Sequence, residues 1–225
     1  MLPIPPLALA AFTGFISGFL LSIPVGPINL TILNEGARRG FKVALLISTG
    51  AVIMEVLYCA IAFTGFASFF QHRVIKASME LFSFVFMLYL GIKFLLARTV
   101  PTAGRIETRI EERLHPHSAF MIGFVRTMAN PGVLLGWIIL SAGFTAHDWV
   151  QPNGECKLAC IIGVAGGTSV WFLGLSWFSS KSHGRLTEKG LLRMEHISGV
   201  CLLLLAMGYG TNIIWQLARL HKVSG

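Results

Sequence analysis

The chain has 225 residues, of which 54% are hydrophobic and only 12% charged, and its mean hydropathy is +0.71. Soluble domains have about 25% charged residues, so a soluble protein of this composition would have too few polar side chains to cover its surface, and an integral membrane protein is expected. The formal net charge of +8 is attributed to basic residues that flank membrane helices, because the sequence has no RNP-type, zinc-finger or basic-helix pattern that would indicate nucleic-acid binding.

Six apolar segments are each long enough to cross about 30 Å of hydrocarbon at about 1.5 Å per residue. The sequence therefore predicts an all-α membrane protein with six transmembrane helices. The third span is the least apolar, because Glu80 and Lys93 lie near its ends, where their side chains can reach the interface. The predicted spans are 7–33, 43–70, 79–97, 118–145, 158–180 and 195–218.

Lysine and arginine residues accumulate on one side of the predicted spans, with twelve on that side and five on the other. The positive-inside rule then places both termini outside the plasma membrane and the polar linker 98–117 in the cytoplasm. This linker separates a first three-helix repeat, residues 1–97, from a second, residues 118–225. The linker is interpreted as a solvated connection, and no metal or other cofactor is expected.

The first and fourth predicted helices are interrupted by proline and glycine. Pro24, Gly26 and Pro27 interrupt the first helix, and Asn130 and Pro131 interrupt the fourth. Proline has no N–H group to donate and clashes with the preceding turn, so each break frees carbonyls that must find protein, water or a ligand because lipid offers no donor. Interrupted helices at corresponding places in two halves indicate a central binding site. Two structural kinks packed against neighbouring helices are the alternative.

The sequences around the two breaks are similar. Gly18 aligns with Gly123, and Ser22 lies opposite Thr127. Because each half has three helices, the second half would enter the membrane from the opposite side, as in transporters built from inverted repeats. Chance similarity between apolar, glycine-rich helices is the alternative.

One acidic residue lies deep in the predicted second helix. Glu55 is about 12 residues from the start of this helix, or roughly 18 Å along its axis. A carboxylate that is removed from water tends to bind a proton, so Glu55 is suited to proton coupling or to holding an ammonium group. Acids inside membrane helices are commonly functional, although a structural hydrogen bond or ion pair is the alternative.

Further polar residues surround the two breaks. Arg126 lies roughly 12 Å into the fourth helix. There it could pair with Glu55, with Glu35 or with a substrate carboxylate. A side chain that reaches the cytoplasmic face is an equally supported alternative. The fifth helix has a face of small residues that includes Gly163, Gly167 and Thr168, interpreted mainly as a packing surface. The predicted substrate-binding residues are Pro24, Gly26, Pro27, Asn29, Glu55, Arg126, Asn130 and Pro131, and Glu55 is also the predicted proton-coupling residue.

These segments resemble the LysE-type translocators, a family of amino-acid exporters also known as lysine exporters. Residues 23–30 are similar to the Pro-Gly-Pro motif of the family's first helix, and residues 36–40 to its short basic loop. Glu55 stands in a segment similar to the acidic motif of the second helix, where Asp is usual. Residues 119–131 resemble the motif that opens the second half. Met54 and Gly132 depart from the family pattern, so lysine is not carried over as the substrate.

The resemblance covers nearly the whole chain. It implies a non-enzymatic, secondary-active exporter of amino acids or amino-acid-like small metabolites, driven by an ion gradient for which protons are the expected ion. Membrane lipid and a small-molecule substrate are the expected partners, and a homo-oligomer is left open. A divalent metal or cation transporter of related architecture is the main alternative. A thiol-redox enzyme would require cysteine beside the breaks, and a purely structural protein would leave Glu55 without a role.

Overall fold

The structure is a computed structural model that describes residues 5–24, 26–65, 88–98, 118–181 and shorter stretches around them. The shorter stretches are 81, 84–85, 113–114, 190, 192–193, 196–197, 199–200, 203–204, 206–208 and 210–211. All regular secondary structure in these residues is helical. The continuous helices are α1 (Pro6–Ser22), α2 (Pro27–Arg39), α3 (Phe41–Gly65), α4 (Ala119–Met128), α5 (Pro131–Ala146) and α6 (Gly154–Lys181).

Two of these helices are long and apolar enough to cross a membrane without a break. They comprise Phe41–Thr64 and Gly154–Lys181, with mean hydropathies of 2.0 and 1.9. At about 1.5 Å per residue each exceeds the roughly 30 Å of the hydrocarbon layer. These helices agree with the predicted second and fifth spans, and the protein is a membrane protein.

The predicted breaks in the first and fourth spans are observed. Helices α1 and α2 meet at 72° and helices α4 and α5 at 63°, and each bent pair is apolar enough to form one further span. Pro27 and Pro131 are the first residues of α2 and α5, where the missing N–H group would have no intrahelical partner in any case. The described residues therefore contain two to four candidate spans.

The predicted third and sixth spans, 79–97 and 195–218, lie largely outside the described residues, as do most of the linker 98–117 and the end of the second span. Their described residues between 88 and 95 and between 196 and 211 are helical. A Cβ on Gly91 would lie 2.7 Å from Cγ of Leu203, and a Cβ on Gly199 would lie 2.6 Å from the backbone nitrogen of Leu95. The two segments therefore pack in contact and run antiparallel.

Helices α1 and α6 pack backbone against backbone through glycine. A Cβ on Gly18 would lie 2.7 Å from the carbonyl oxygen of Val164, and a Cβ on Gly167 would lie 2.8 Å from the backbone nitrogen of Phe19. Gly163 and Ala11 are in similar contact one turn earlier, so the two helices run parallel. Small residues permit this approach between membrane helices, and the predicted packing role of the glycines in the fifth span is confirmed.

Helices α3 and α4 repeat the same contact. A Cβ on Gly50 would lie 2.7 Å from the backbone nitrogen of Phe124, and a Cβ on Gly123 would lie 2.7 Å from the carbonyl carbon of Ile47. Gly50 and Phe124 thus correspond to Gly167 and Phe19 of the other interface. This is the register in which Gly18 aligns with Gly123 in the sequence.

Apolar packing surrounds helix α3 on both sides. One buried cluster includes Tyr58, Trp137 and Cys160, and a second includes Ile32, Ile47 and Phe172. Between α3 and α6 the hydroxyl groups of Ser48 and Ser176 lie 2.8 Å apart in a buried hydrogen bond. Helix α3 is therefore held at the centre of the described residues by both halves of the chain.

The basic loop predicted at residues 36–40 is wrong. Residues 36–39 form the last turn of α2, and the turn to α3 is made by Gly40 alone, with φ of +86°. A Cβ on Gly36 would lie 2.9 Å from Cβ of Ser179 on α6. The glycine permits close helix packing and does not end the helix.

Candidate functional site

The first break is closed by the side chain of Asn29. Its Nδ2 group donates hydrogen bonds to the carbonyl oxygens of Ser22, at 2.9 Å, and Pro24, at 2.6 Å. Gly26 begins the next helix from an extended backbone conformation, and Asn29 is 1% exposed. Asn29 therefore supplies part of the hydrogen bonding that Pro24 and Pro27 remove from the backbone.

The second break is built around Asn130. Its Oδ1 atom accepts a hydrogen bond from the backbone nitrogen of Gly132 at 2.9 Å, which caps the start of α5. Pro131 follows as the first helical residue, and the preceding helix α4 is itself capped by Ser118. The structure thus gives Asn130 and Pro131 a clear role in forming the break.

Glu55 is buried beside the second break. Its side chain is 5% exposed and accepts a hydrogen bond from Nε1 of Trp137 on α5. One turn along α3, the hydroxyl group of Tyr58 donates a 2.6 Å hydrogen bond to the carbonyl oxygen of Met128, the last residue of α4. Glu55 and Tyr58 therefore connect α3 to the helices on both sides of the second break.

Arg126 reaches from α4 to the first half of the chain. Its guanidinium group donates a hydrogen bond to the hydroxyl oxygen of Thr31 on α2, and that hydroxyl donates in turn to the carbonyl oxygen of Pro27 at 2.7 Å. Glu35, one of the partners considered for Arg126, forms an ion pair with Arg39 at 3.3 Å. Arg126 thus connects the helix before the second break with the helix after the first.

The two breaks therefore meet around α3, which packs against α2, α4 and α5. Asn29 lies at the first break and Glu55 beside the second, and Arg126 joins the helix after the first break to the helix before the second. Among the residues described, no group of three or more His, Cys, Asp or Glu side chains could hold a metal ion. His115 and His117 of the linker lie outside the described residues.

Sequence reasoning missed two residues of this site. Tyr58 lies three residues after Glu55 on the same helical face, and this spacing could have identified it. Trp137 gave no signal, because a tryptophan in an apolar helix is equally typical of a lipid-facing or interfacial position. Only the folded chain brings its indole to Glu55.

A buried carboxylate beside a broken membrane helix is a feature with a known chemical use. Such breaks present backbone and side-chain polar groups near the middle of the membrane, and secondary transporters bind their substrates there. A site of this kind is typical of membrane transporters.

The comparisons with known proteins name the family. The sequence profile of the LysE type translocators matches residues 19–212, so the chain belongs to this family. It is 28% identical to the YcgF protein of Bacillus subtilis (strain 168), over 89% of this chain and 94% of that protein. It is 26% identical to the arginine exporter protein ArgO of Escherichia coli O157:H7, over 85% and 88% of the two chains.

The leucine efflux protein of Salmonella typhimurium is 30% identical over 53% of this chain and 55% of its own length. No solved structure matches the chain. The family assigned from the sequence motifs is thereby confirmed.

Proposed function

We propose that this protein exports amino acids or amino-acid-like small metabolites across the plasma membrane by secondary active transport, with protons as the coupling ion. Its family and the names of the arginine and leucine exporters similar to it support amino acids as cargo. These names favour amino acids over the divalent cation that the sequence left open. The observation that carries the coupling is the burial of Glu55 against Trp137 at the second break.

We propose that the substrate binds between the two breaks. Asn29 and Arg126 would contact it from one side and Glu55 from the other. The flexible Gly26 and the backbone carbonyls freed by Pro24, Pro27 and Pro131 would complete the site. Asn130 would shape the break around it. Glu55 would bind a proton when the site is dry and release it when water enters, since burial disfavours the charged carboxylate.

We further propose six transmembrane helices in a 3+3 inverted repeat, with residues 1–97 and 118–225 as the halves and 98–117 as a cytoplasmic linker. The parallel packing of α1 and α6 and the antiparallel packing around Gly91 and Gly199 are those expected if six spans alternate in direction. The matched glycine contacts of Gly50 and Gly167 support a repeat. With six spans, the excess of basic residues on one side places both termini outside.

Transport by purified protein in liposomes tests this function. The reconstituted protein is given each of the twenty protein amino acids in radiolabelled form, with and without an imposed proton gradient. We expect gradient-dependent flux for the native protein and its loss in Glu55→Gln. The exposed Glu155 at the start of α6 provides the matched control, and Glu155→Gln should transport normally.

Two results would overturn the proposal. Flux of divalent cations without flux of any amino acid would make the protein a cation transporter. Unchanged gradient-dependent flux in Glu55→Gln would remove Glu55 as the coupling residue while leaving amino-acid export in place.

A further inference from the structure

Three buried polar atoms border the first break and have no hydrogen-bond partner among the described residues. They are Oδ1 of Asn29, Oγ1 of Thr168 and Nε1 of Trp171. Asn29 is 1% exposed and Thr168 is 0% exposed. A buried polar group without a partner costs about 1–3 kcal/mol, so three of them at one place indicate that a ligand completes their hydrogen bonds. These three residues are called the first-break cluster below.

The three residues of the cluster lie along the C-terminal part of α1 and the break that follows it. The Nδ2 group of Asn29 is fixed by its two bonds to Ser22 and Pro24, which leaves Oδ1 as an acceptor. The hydroxyl group of Thr168 lies against Gly18, 3.0 Å from the place where a Cβ of that glycine would be. One turn further along α6, Trp171 packs edge to face against Phe19 with ring centroids 5.8 Å apart.

The chemistry of the cluster is that of a neutral site rich in acceptors. Asn29 Oδ1 and the Thr168 hydroxyl accept hydrogen bonds, and Pro24 and Pro27 cannot donate to the carbonyl groups of Leu20 and Ile23 four residues before them. An ammonium group has three donors and fits such a set of oxygens. The indole N–H of Trp171 is a donor, and a carboxylate is its natural partner.

The equivalent half of the repeat carries different chemistry. In the register of the matched glycine contacts, Glu55 corresponds to Phe172 and Trp137 corresponds to Ile32. Both Phe172 and Ile32 belong to one buried apolar cluster. The acid and its indole partner therefore have apolar counterparts at the matched positions of the other half.

We infer that the first-break cluster binds the ammonium and carboxylate groups shared by all amino acids, with Asn29 and Thr168 on the ammonium and Trp171 on the carboxylate. The inference rests on the proposed function and adds to it a division of the site. The head group of the substrate binds at the first break, and the proton binds at Glu55. Two residues of α6, Thr168 and Trp171, thereby become substrate-binding residues.

The test uses the liposome flux described above, applied to whichever of the twenty amino acids the native protein transports. Thr168→Val replaces the hydroxyl group by a methyl group at nearly the same volume, and Trp171→Phe removes the indole N–H group while keeping an aromatic ring. We expect each to raise KM about tenfold or more, since a lost hydrogen bond to a charged group is worth at least one decade in affinity. The dependence of flux on pH should stay that of the native protein, unlike that of Glu55→Gln.

Matched controls separate binding from folding. Thr49→Val and Trp177→Phe make the same chemical changes at exposed positions, and each should leave KM unchanged. A carboxamide analogue of the transported amino acid lacks the carboxylate. It should compete poorly with the substrate for the native protein, and Trp171→Phe should not weaken its binding further.

The outcomes distinguish the two levels of the proposal. If the native protein transports no amino acid, the proposed function falls and this inference falls with it. If the native protein transports but both Thr168→Val and Trp171→Phe keep KM within twofold of the native value, the export function stands and the head-group site is refuted. A changed pH dependence in these two variants would also refute the division between substrate and proton.

Discussion

Adding one methyl group at Gly167 should destabilise the protein, whereas adding it at Gly174 on the same helix should not. At Gly167 a Cβ would lie 2.8 Å from the backbone nitrogen of Phe19 and 2.9 Å from the carbonyl carbon of Phe15, and nothing lies within 4 Å of a Cβ at Gly174. Real Cβ contacts essentially never fall below 3.0 Å. Because the atoms in the way belong to a helix backbone, α1 and α6 must move apart to make room.

The size of the effect follows from that movement. Overpacking a close-packed interior costs about 1–3 kcal/mol, and for a chain of this length each kcal/mol lowers Tm by about 2–4 °C. Gly167→Ala should therefore unfold about 2–12 °C below the native protein. Gly174→Ala should be neutral or slightly stabilising, since alanine favours a helix over glycine by up to about 1 kcal/mol.

Thermal unfolding in detergent, followed by loss of the monodisperse peak in size-exclusion chromatography, measures both variants. Gly50→Ala provides an internal replicate, because a Cβ there meets Phe120 and Phe124 in the same geometry. Equal melting temperatures for Gly167→Ala and Gly174→Ala would refute the backbone contact between α1 and α6. A large loss at Gly167 with none at Gly50 would refute the equivalence of the two interfaces.

Two further predictions concern the ends of helices. Gly40→Ala should lower the free energy of unfolding by about 1–3 kcal/mol, because a φ of +86° with a ψ of 178° is essentially confined to glycine. Gly26→Ala is the control, since Gly26 has an extended backbone and nothing lies within 4 Å of a Cβ there. Equal melting temperatures for the two variants would contradict the predicted strain at Gly40. Asn130→Ala removes the cap of α5 and should cost about 0.5–2 kcal/mol. Asn130→Ser keeps a capping oxygen and should therefore melt at a higher temperature than Asn130→Ala. Equal melting temperatures would show that Asn130 does not stabilise the protein by capping α5.

The breaks were predictable from sequence because their cause is local. Pro24, Pro27 and Pro131 have no N–H groups, and this disrupts a helix whatever surrounds it. The bend angles of 72° and 63° were not predictable, because they depend on how α2 and α5 pack against the rest of the chain. For the same reason the sequence could not tell that Gly36 packs against Ser179 and does not end α2.

The place of Glu55 near the middle of an apolar helix was also predictable, since it follows from counting residues along that helix. Its partner was not, because Trp137 lies 82 residues away and nothing in its neighbourhood marks it as polar. The partner of Arg126 was not predictable either. Its charge suggested acidic partners in the sequence, and the hydrogen bond it donates to the neutral hydroxyl of Thr31, 95 residues away, was not foreseen.

The two halves of the described structure share their backbone packing and differ in their chemistry. Gly50 and Gly167 meet the opposite half through the same atoms, yet the helix that contains Gly50 carries Glu55 and the helix that contains Gly167 carries Phe172 at the matched position. Inverted repeats exchange conformations as a transporter turns from one side of the membrane to the other. If the proposed repeat exchanges conformations in this way, Glu55 would be dry in one state and hydrated in the other.

A carboxylate binds a proton more readily where water is excluded than where water reaches it. With an acid in both halves, each state would have one dry and one hydrated acid, and a turnover would carry no net change in bound protons. In the proposed mechanism, with Phe172 at the position matched to Glu55, the two states would differ in proton affinity, and that difference would couple a gradient to movement of the substrate. The asymmetry between Glu55 and Phe172 is therefore the feature on which the proposed proton-driven export would depend.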